Sequence, residues 1–233
     1  MGRRFLRCRR GIIGIEAAII LIAFVIIAAA FAFMAINMGL FATQRSKDTI
    51  SQGLREASSP LQVDGNVFIR VVNNDLKINA TIIPLRAMGV KYVPVGQNET
   101  VVSLSIVSSN GNSKAYANIY YGVNASYNPT GQSFDNLALC AYEYAKAAQE
   151  KMGIINSGEG PKLPAAVLIV ENSDGDEALD AFEKGFLVIL LDTVVEPRAI
   201  VTVEIRVERS APLTIEFMVP ESLTKASWMM VSG

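Results

Sequence analysis

The 233-residue sequence has no histidine, two cysteines and one tryptophan. Without histidine it lacks the commonest catalytic base and transition-metal ligand, so most hydrolytic and redox-metal constellations are excluded. Cys8 and Cys140 allow at most one disulfide, too few for a stapled scaffold. No glycine-rich phosphate loop, Cys/His cluster, internal repeat or low-complexity segment is present. No catalytic residue, metal ligand or cofactor is therefore expected. Outside the first eleven residues 16 basic side chains stand against 22 acidic ones, and this mildly acidic balance argues against nucleic acid as a partner.

Against these absences stands one long apolar run. Ile12–Ala42 holds a single ionisable side chain, Glu16, and follows a basic segment with arginines at 3, 4, 7, 9 and 10. About 20 helical residues cross a hydrocarbon layer about 30 Å thick, so this run exceeds a span. The arginines place Met1–Gly11 on the cytoplasmic side and the rest of the chain outside. A secretory signal has a shorter apolar region and a small-residue cleavage site after it, and neither fits here. The helical pattern continues past the apolar run through Ile50, Leu54 and Ala57 and stops before Pro60. A helix from Ile12 to Ser58 would be about 70 Å long.

Glu16 needs a reason. An intramembrane carboxylate costs several kcal/mol unless it is interfacial, protonated or paired. One reading leaves it near the helix start, beside headgroup water and the positive end of the helix. The other begins with cleavage between Gly11 and Ile12, which makes Glu16 the fifth residue of the mature chain. Its carboxylate then pairs with the new amine of a neighbouring subunit, which makes burial of both tolerable.

The run from Arg9 through Glu16 to Ala57, a basic-Gly boundary followed by apolar residues with Glu at the fifth position, resembles the start of archaeal flagellins, or archaellins. More broadly it is similar to the class III signal peptides of type IV pilin-like proteins. The resemblance implies cleavage after Gly11 by a prepilin-type leader peptidase and an assembly role for Glu16. It also implies homo-oligomerisation in a helical filament, with or without related archaellins, on a membrane assembly platform driven by a motor. Loss of the leader removes Cys8 and five of the 21 basic residues, leaving 222 residues with a formal charge of −6.

Beyond Pro60 short apolar or alternating runs are separated by turn formers. Strands are expected at 67–72, 76–83, 90–95, 101–108, 115–121, 165–170, 186–191, 199–207 and 213–219. Residues 73–75, 94–98 and 109–112 are expected to connect them. A helix is expected over Asp135–Met152, with Leu137, Ala141, Tyr144, Ala148 and Met152 inward and Gly153 as its stop. Residues 156–164 read as a loop. The expected fold is α+β, a long N-terminal helix followed by a β-sandwich or barrel-like domain. Its divisions are a leader at 1–11, a membrane and filament-core helix at 12–60 and an extracellular β-rich domain at 61–233.

Two surface features complete the reading. The acidic stretch Glu171–Glu177 does not match an EF-hand loop, so a solvated turn is expected rather than a calcium site. Sequons begin at Asn79, Asn98 and Asn124, and archaellins as a family are often N-glycosylated. Asn98 and Asn124 fall near expected turns, whereas Asn79 falls in an expected strand. The resemblance implies an extracellular archaellum subunit for swimming. The alternatives are an adhesion pilin with the same leader and a membrane-anchored binding protein that never polymerises.

Overall fold

The computed structural model describes residues 10–57, 60–72, 77–208, 210–224 and 228–231. The chain forms two compact units, Met1–Leu54 and Arg55–Gly233. The first contains α1 (Arg10–Ala57), 48 residues or about 72 Å of helix. Proline is absent from it, and its glycines at 14, 39 and 53 meet nothing a Cβ would strike, so the helix runs unbroken. Its large apolar side chains point outward on every side: Ile20, Phe24, Phe33 and Phe41 are all more than 60% exposed. Apolar side chains thus surround the helix along most of residues 14–42.

The second unit contains β1 (Leu61–Val63), β2 (Val67–Val72), β3 (Lys77–Ala87), β4 (Tyr92–Pro94), β5 (Thr100–Val107), β6 (Ser113–Tyr116) and β7 (Tyr120–Asn124). Then come α2 (Phe134–Lys151), β8 (Ala165–Glu171), β9 (Ala178–Asp180), β10 (Lys184–Val195), β11 (Ile200–Val207), β12 (Leu213–Met218) and β13 (Trp228–Val231). The larger sheet has the order β13-β2-β3-β10-β8-β7, with β1 added to β3, and the smaller one runs β12-β11-β5-β6. A third pairing, β4 with β9, is a two-stranded ribbon.

The sheets face each other as a sandwich. Ile69, Leu85, Leu168, Leu187 and Ile189 from the larger sheet share one core with Val102, Leu104, Val203 and Phe217 from the smaller. Strands β5 and β11 alternate buried and exposed positions because only one of their faces is covered. β8 is buried at six consecutive positions because α2 covers its other face. That second face holds Ile82, Val167, Ile169 and Val188 against Leu137, Ala141 and Ala145. The domain is thus a three-layer stack of helix, mixed sheet and antiparallel sheet. It is a sandwich and not a barrel, because the edges β13 and β7 of the larger sheet do not meet.

The expected strand at 115–121 is two strands in different sheets. The chain leaves β6 and crosses to the larger sheet, where β7 pairs parallel with β8. At the crossing, Asn118 Oδ1 accepts the Tyr120 amide at 3.1 Å and the Ile119 amide donates to the Val102 carbonyl at 2.9 Å. These bonds satisfy the backbone where no strand does. Strands β1, β9 and β13 have three or four residues each, too short to show a period. The expected connection at 73–75 lies outside the described residues.

The second helix begins and ends as its capping residues require. Ser133 Oγ accepts the Asn136 amide, and Gly153, with φ at 69°, follows the C-cap Met152. Its buried stripe is Leu137, Ala138, Ala141, Ala145 and Gln149, so the inward face is shifted from the expected one and Met152 is exposed. Gln149 is buried because its amide clamps the neighbouring loop. Nε2 donates to the Lys162 carbonyl at 2.9 Å, and Oε1 accepts the Lys162 amide at 2.7 Å.

Candidate functional site

The candidate functional site is the surface the chain offers to other molecules. Residues 14–51 of α1 are long and apolar enough to cross a membrane, and none of the side chains in that stretch is buried. Gly11 and Ile12 lie within α1, and so does Glu16. It stands one turn, four residues, from Ile12 and on the same face. At the polar end of the helix, Thr43 Oγ1 and Thr49 Oγ1 donate to the Gly39 and Arg45 carbonyls, both at 2.8 Å. Those hydroxyls are satisfied within the helix, whichever medium surrounds it.

The three sequons have different surroundings. Asn98 is exposed in the turn before β5 and borders a shallow cleft of about 340 Å³. The hydroxyl of its partner Thr100 is turned inward and donates to the Pro94 carbonyl at 3.3 Å. Asn124 is half-buried and engaged at both ends of its amide. Nδ2 donates to Cys140 Sγ at 3.3 Å, and Oδ1 accepts the Ser126 amide at 3.2 Å. Asn79 lies within β3, and its Oδ1 is buried without a hydrogen-bond partner among the described residues. Cys140 is free and half-buried; burial, with the Glu143 charge, raises its thiol pKa, against the hydrogen bond from Asn124.

In the acidic turn two of the carboxylates accept backbone amides. Asp174 Oδ1 accepts the Asp176 amide at 3.3 Å, and Asp176 Oδ1 accepts the Ala178 amide at 2.9 Å. Glu183, buried nearby, takes the Asp174 and Asp180 amides on its two oxygens at 3.1 and 2.9 Å. No group of three acidic, cysteine or histidine side chains gathers for a metal among the described residues. The carboxylates shape a turn between β8 and β9.

An apolar helix joined to a domain that covers its own core is the layout of a pilin-like structural subunit. The model of the archaeal-type flagellin family matches residues 11–217. The chain is 40% identical over 219 residues to a probable flagellin 1 of Aeropyrum pernix, covering 94% of this chain and 96% of that one. It is 28% identical over 230 residues to a probable flagellin 1 of Archaeoglobus fulgidus, covering 96% of each. The crystal structure of the archaeal flagellin FlaB1 from Methanocaldococcus jannaschii superposes with a TM-score of 0.52 at 15% identity, over 73% of this chain and 95% of that one, a likeness of fold.

The chain belongs to the archaeal-type flagellin family. It is a structural subunit of the archaellum, the extracellular swimming filament, and not an enzyme. Its precursor is held in the membrane by α1.

Proposed function

We propose that a prepilin-type peptidase cuts between Gly11 and Ile12, and that the mature subunit then moves from the lipid into a filament core built from α1 helices. The single observation that carries this reading is the all-round apolar surface of α1 directly behind a basic-Gly boundary. In lipid that surface meets acyl chains; in the filament it meets the same surface of neighbours. Full burial of one large side chain is worth roughly 1.5–3 kcal/mol, so a dozen offset the loss of the bilayer. Glu16 then sets the depth of insertion, because a buried carboxylate is tolerated only opposite a cation and the new Ile12 amine of a neighbour supplies one. The functional divisions on this reading are the leader 1–11, the membrane and core helix 12–60 and the extracellular domain 61–233.

An assembly platform in the membrane extracts the subunits, and an ATP-driven motor turns the filament, which transmits torque passively. Glycans on the exposed domain are best supported at Asn98, whose amide is open to solvent. Because Thr100 is turned inward, transfer there precedes or loosens the final fold. Asn124 and Asn79 are poorer acceptors as folded.

Intact-mass measurement of subunits from filaments purified from cells tests the processing step. Loss of eleven residues is expected, and a mature chain that keeps Arg9 and Arg10 refutes it. Deletion of the gene should abolish swimming and leave attachment in place; loss of attachment with swimming retained would favour an adhesion pilin.

A further inference from the structure

We propose that the cleft beside Asn98 is a seat for the first sugar units of a glycan on that residue, and that the linking sugar is a neutral pyranose. The proposal rests on the reading of Asn98 as the best-supported glycan site, and adds where the sugar lies and what it does to the domain.

The sequon and the cleft share a wall. Asn98 itself borders the cleft, so a sugar bonded to its Nδ2 begins at the edge of that space. The volume, about 340 Å³, stands at the low end of the roughly 300–1,000 Å³ of sites that hold small ligands. The backbone around it is tied down. The Glu99 and Thr100 amides both donate to the Gly96 carbonyl at 3.1 Å, and the Glu208 amide donates to the Glu99 carbonyl at 2.9 Å. The last of these bonds joins the Asn98 turn to the end of β11.

The lining has the two textures of a sugar ring. A pyranose has a face of C–H bonds, which lies on apolar surface, and an edge of hydroxyls, which must find polar partners. Val101, 42% exposed, supplies the apolar wall, and Arg206 is its cross-strand partner. Glu99, Glu208 and Ser210 complete the polar rim. A guanidinium has five N–H donors and Glu204 Oε1 takes one from Arg206 Nη2 at 2.8 Å, so the fork has donors beyond that bond. Ser210 Oγ donates to the Val207 carbonyl at 3.0 Å and keeps lone pairs for a hydroxyl. The charges select the sugar. Two carboxylates accept readily from hydroxyls, but they repel an acidic unit, and the one guanidinium beside them is already paired with Glu204.

The inward turn of Thr100 fixes the order of events. Because its hydroxyl donates to the Pro94 carbonyl in the folded chain, the sugar is bonded to Asn98 before the turn closes, and the cleft then forms around it. Once seated, the sugar bridges the Asn98 turn and the end of β11, two segments far apart in sequence, and restrains their opening.

The test uses the full-length chain, purified in detergent from the membranes of an archaeal host. Mass spectrometry of the peptide that holds Asn98 should show a glycan whose linking sugar is a neutral hexose or N-acetylhexosamine. Unmodified Asn98 would overturn the glycan reading itself, and an acidic linking sugar would overturn the seat alone. Backbone hydrogen exchange then compares chains with and without the sugar, the latter from Asn98→Gln or from a host lacking its oligosaccharide transferase. Exchange over residues 98–101 and 206–208 should be about tenfold slower with the sugar. Val101→Asp, which keeps the sequon, should raise exchange in the glycosylated chain to the sugar-free rate and change little in the sugar-free chain. Equal exchange with and without the sugar, or an equal effect of Val101→Asp in both chains, would overturn the seat. If the sugar-free chain does not fold, the glycosylated chain decides. Faster exchange from Val101→Asp but not from Ser103→Asp, the next outward position along β5, supports the seat, and any other pattern refutes it.

Discussion

Phe24 and Phe33 are nine residues apart in α1, and at 100° per residue they project from opposite sides of the helix. They are 71% and 70% exposed in the single chain, so each has nearly all of its surface available to neighbours. If α1 helices pool in a filament core, both sides are buried and both rings count. Truncation of a buried Phe to Ala loses the transfer energy and leaves a cavity, about 3 kcal/mol together. Each 1.4 kcal/mol is a factor of ten, so Phe24→Ala and Phe33→Ala should each shift the balance between free and assembled subunit by about a hundredfold. Insertion into the membrane should be unaffected, since an apolar run longer than the roughly 20 residues required remains. The assay is quantitative immunoblotting of membrane and filament fractions, with thermal dissociation of purified filaments followed by electron microscopy. Phe33→Leu, which keeps most of the volume, should cost under about 1.5 kcal/mol and recover most of the yield. Loss from only one of the two alanine variants would mean that α1 packs along one side alone. Wild-type filament stability in both would refute a core built from this helix.

The remaining predictions concern processing and the domain. Replacing Gly11 with Leu should leave uncut precursor in the membrane, read by intact mass, and normal processing would argue against a cleavage pocket shaped for glycine. Glu16→Ala should preserve insertion and cleavage while lowering incorporation into filaments; equal incorporation would return Glu16 to a passive interfacial position. Residues 62–233 expressed alone should fold as a β-rich unit by circular dichroism and form no native filament. In that fragment Tyr120→Phe should lower stability by about 1–3 kcal/mol, because the buried Tyr120 hydroxyl donates to the Val95 carbonyl and its loss leaves that oxygen unpaired. The Lys184 ammonium, hydrogen-bonded to Asp64 at 2.9 Å, holds the Asp64 carboxyl below its ordinary range. A depressed folded-state pKa adds stability above the unfolded value and loses it as pH falls through the folded one. The urea midpoint of Lys184→Met should therefore lie below wild type at pH 6, with the gap closing below about pH 4; a constant gap would exclude the ion pair as its source.

Physics local in the chain was legible in the sequence. The span of α1, the basic-Gly boundary, the place of Glu16 and the stop of α2 at Gly153 all depend on near neighbours and on one solvent preference, and a linear reading carries those. The strands with clear alternation, such as β5 and β11, were legible for the same reason. Other features were decided only by the tertiary structure. The segment 115–121 reads as one strand, yet it splits because its halves serve different sheets. Gln149 is buried because Lys162, eleven residues beyond the end of α2, returns to its amide, a contact no linear reading supplies. Strands β1, β9 and β13 are too short to announce themselves and exist through the partners they add to. The sequence already sets Asn79 apart in a strand, and only packing separates the open Asn98 from the engaged Asn124. Hydrophobic periodicity records how many faces of an element are covered, but which element covers them depends on contacts between residues far apart in sequence.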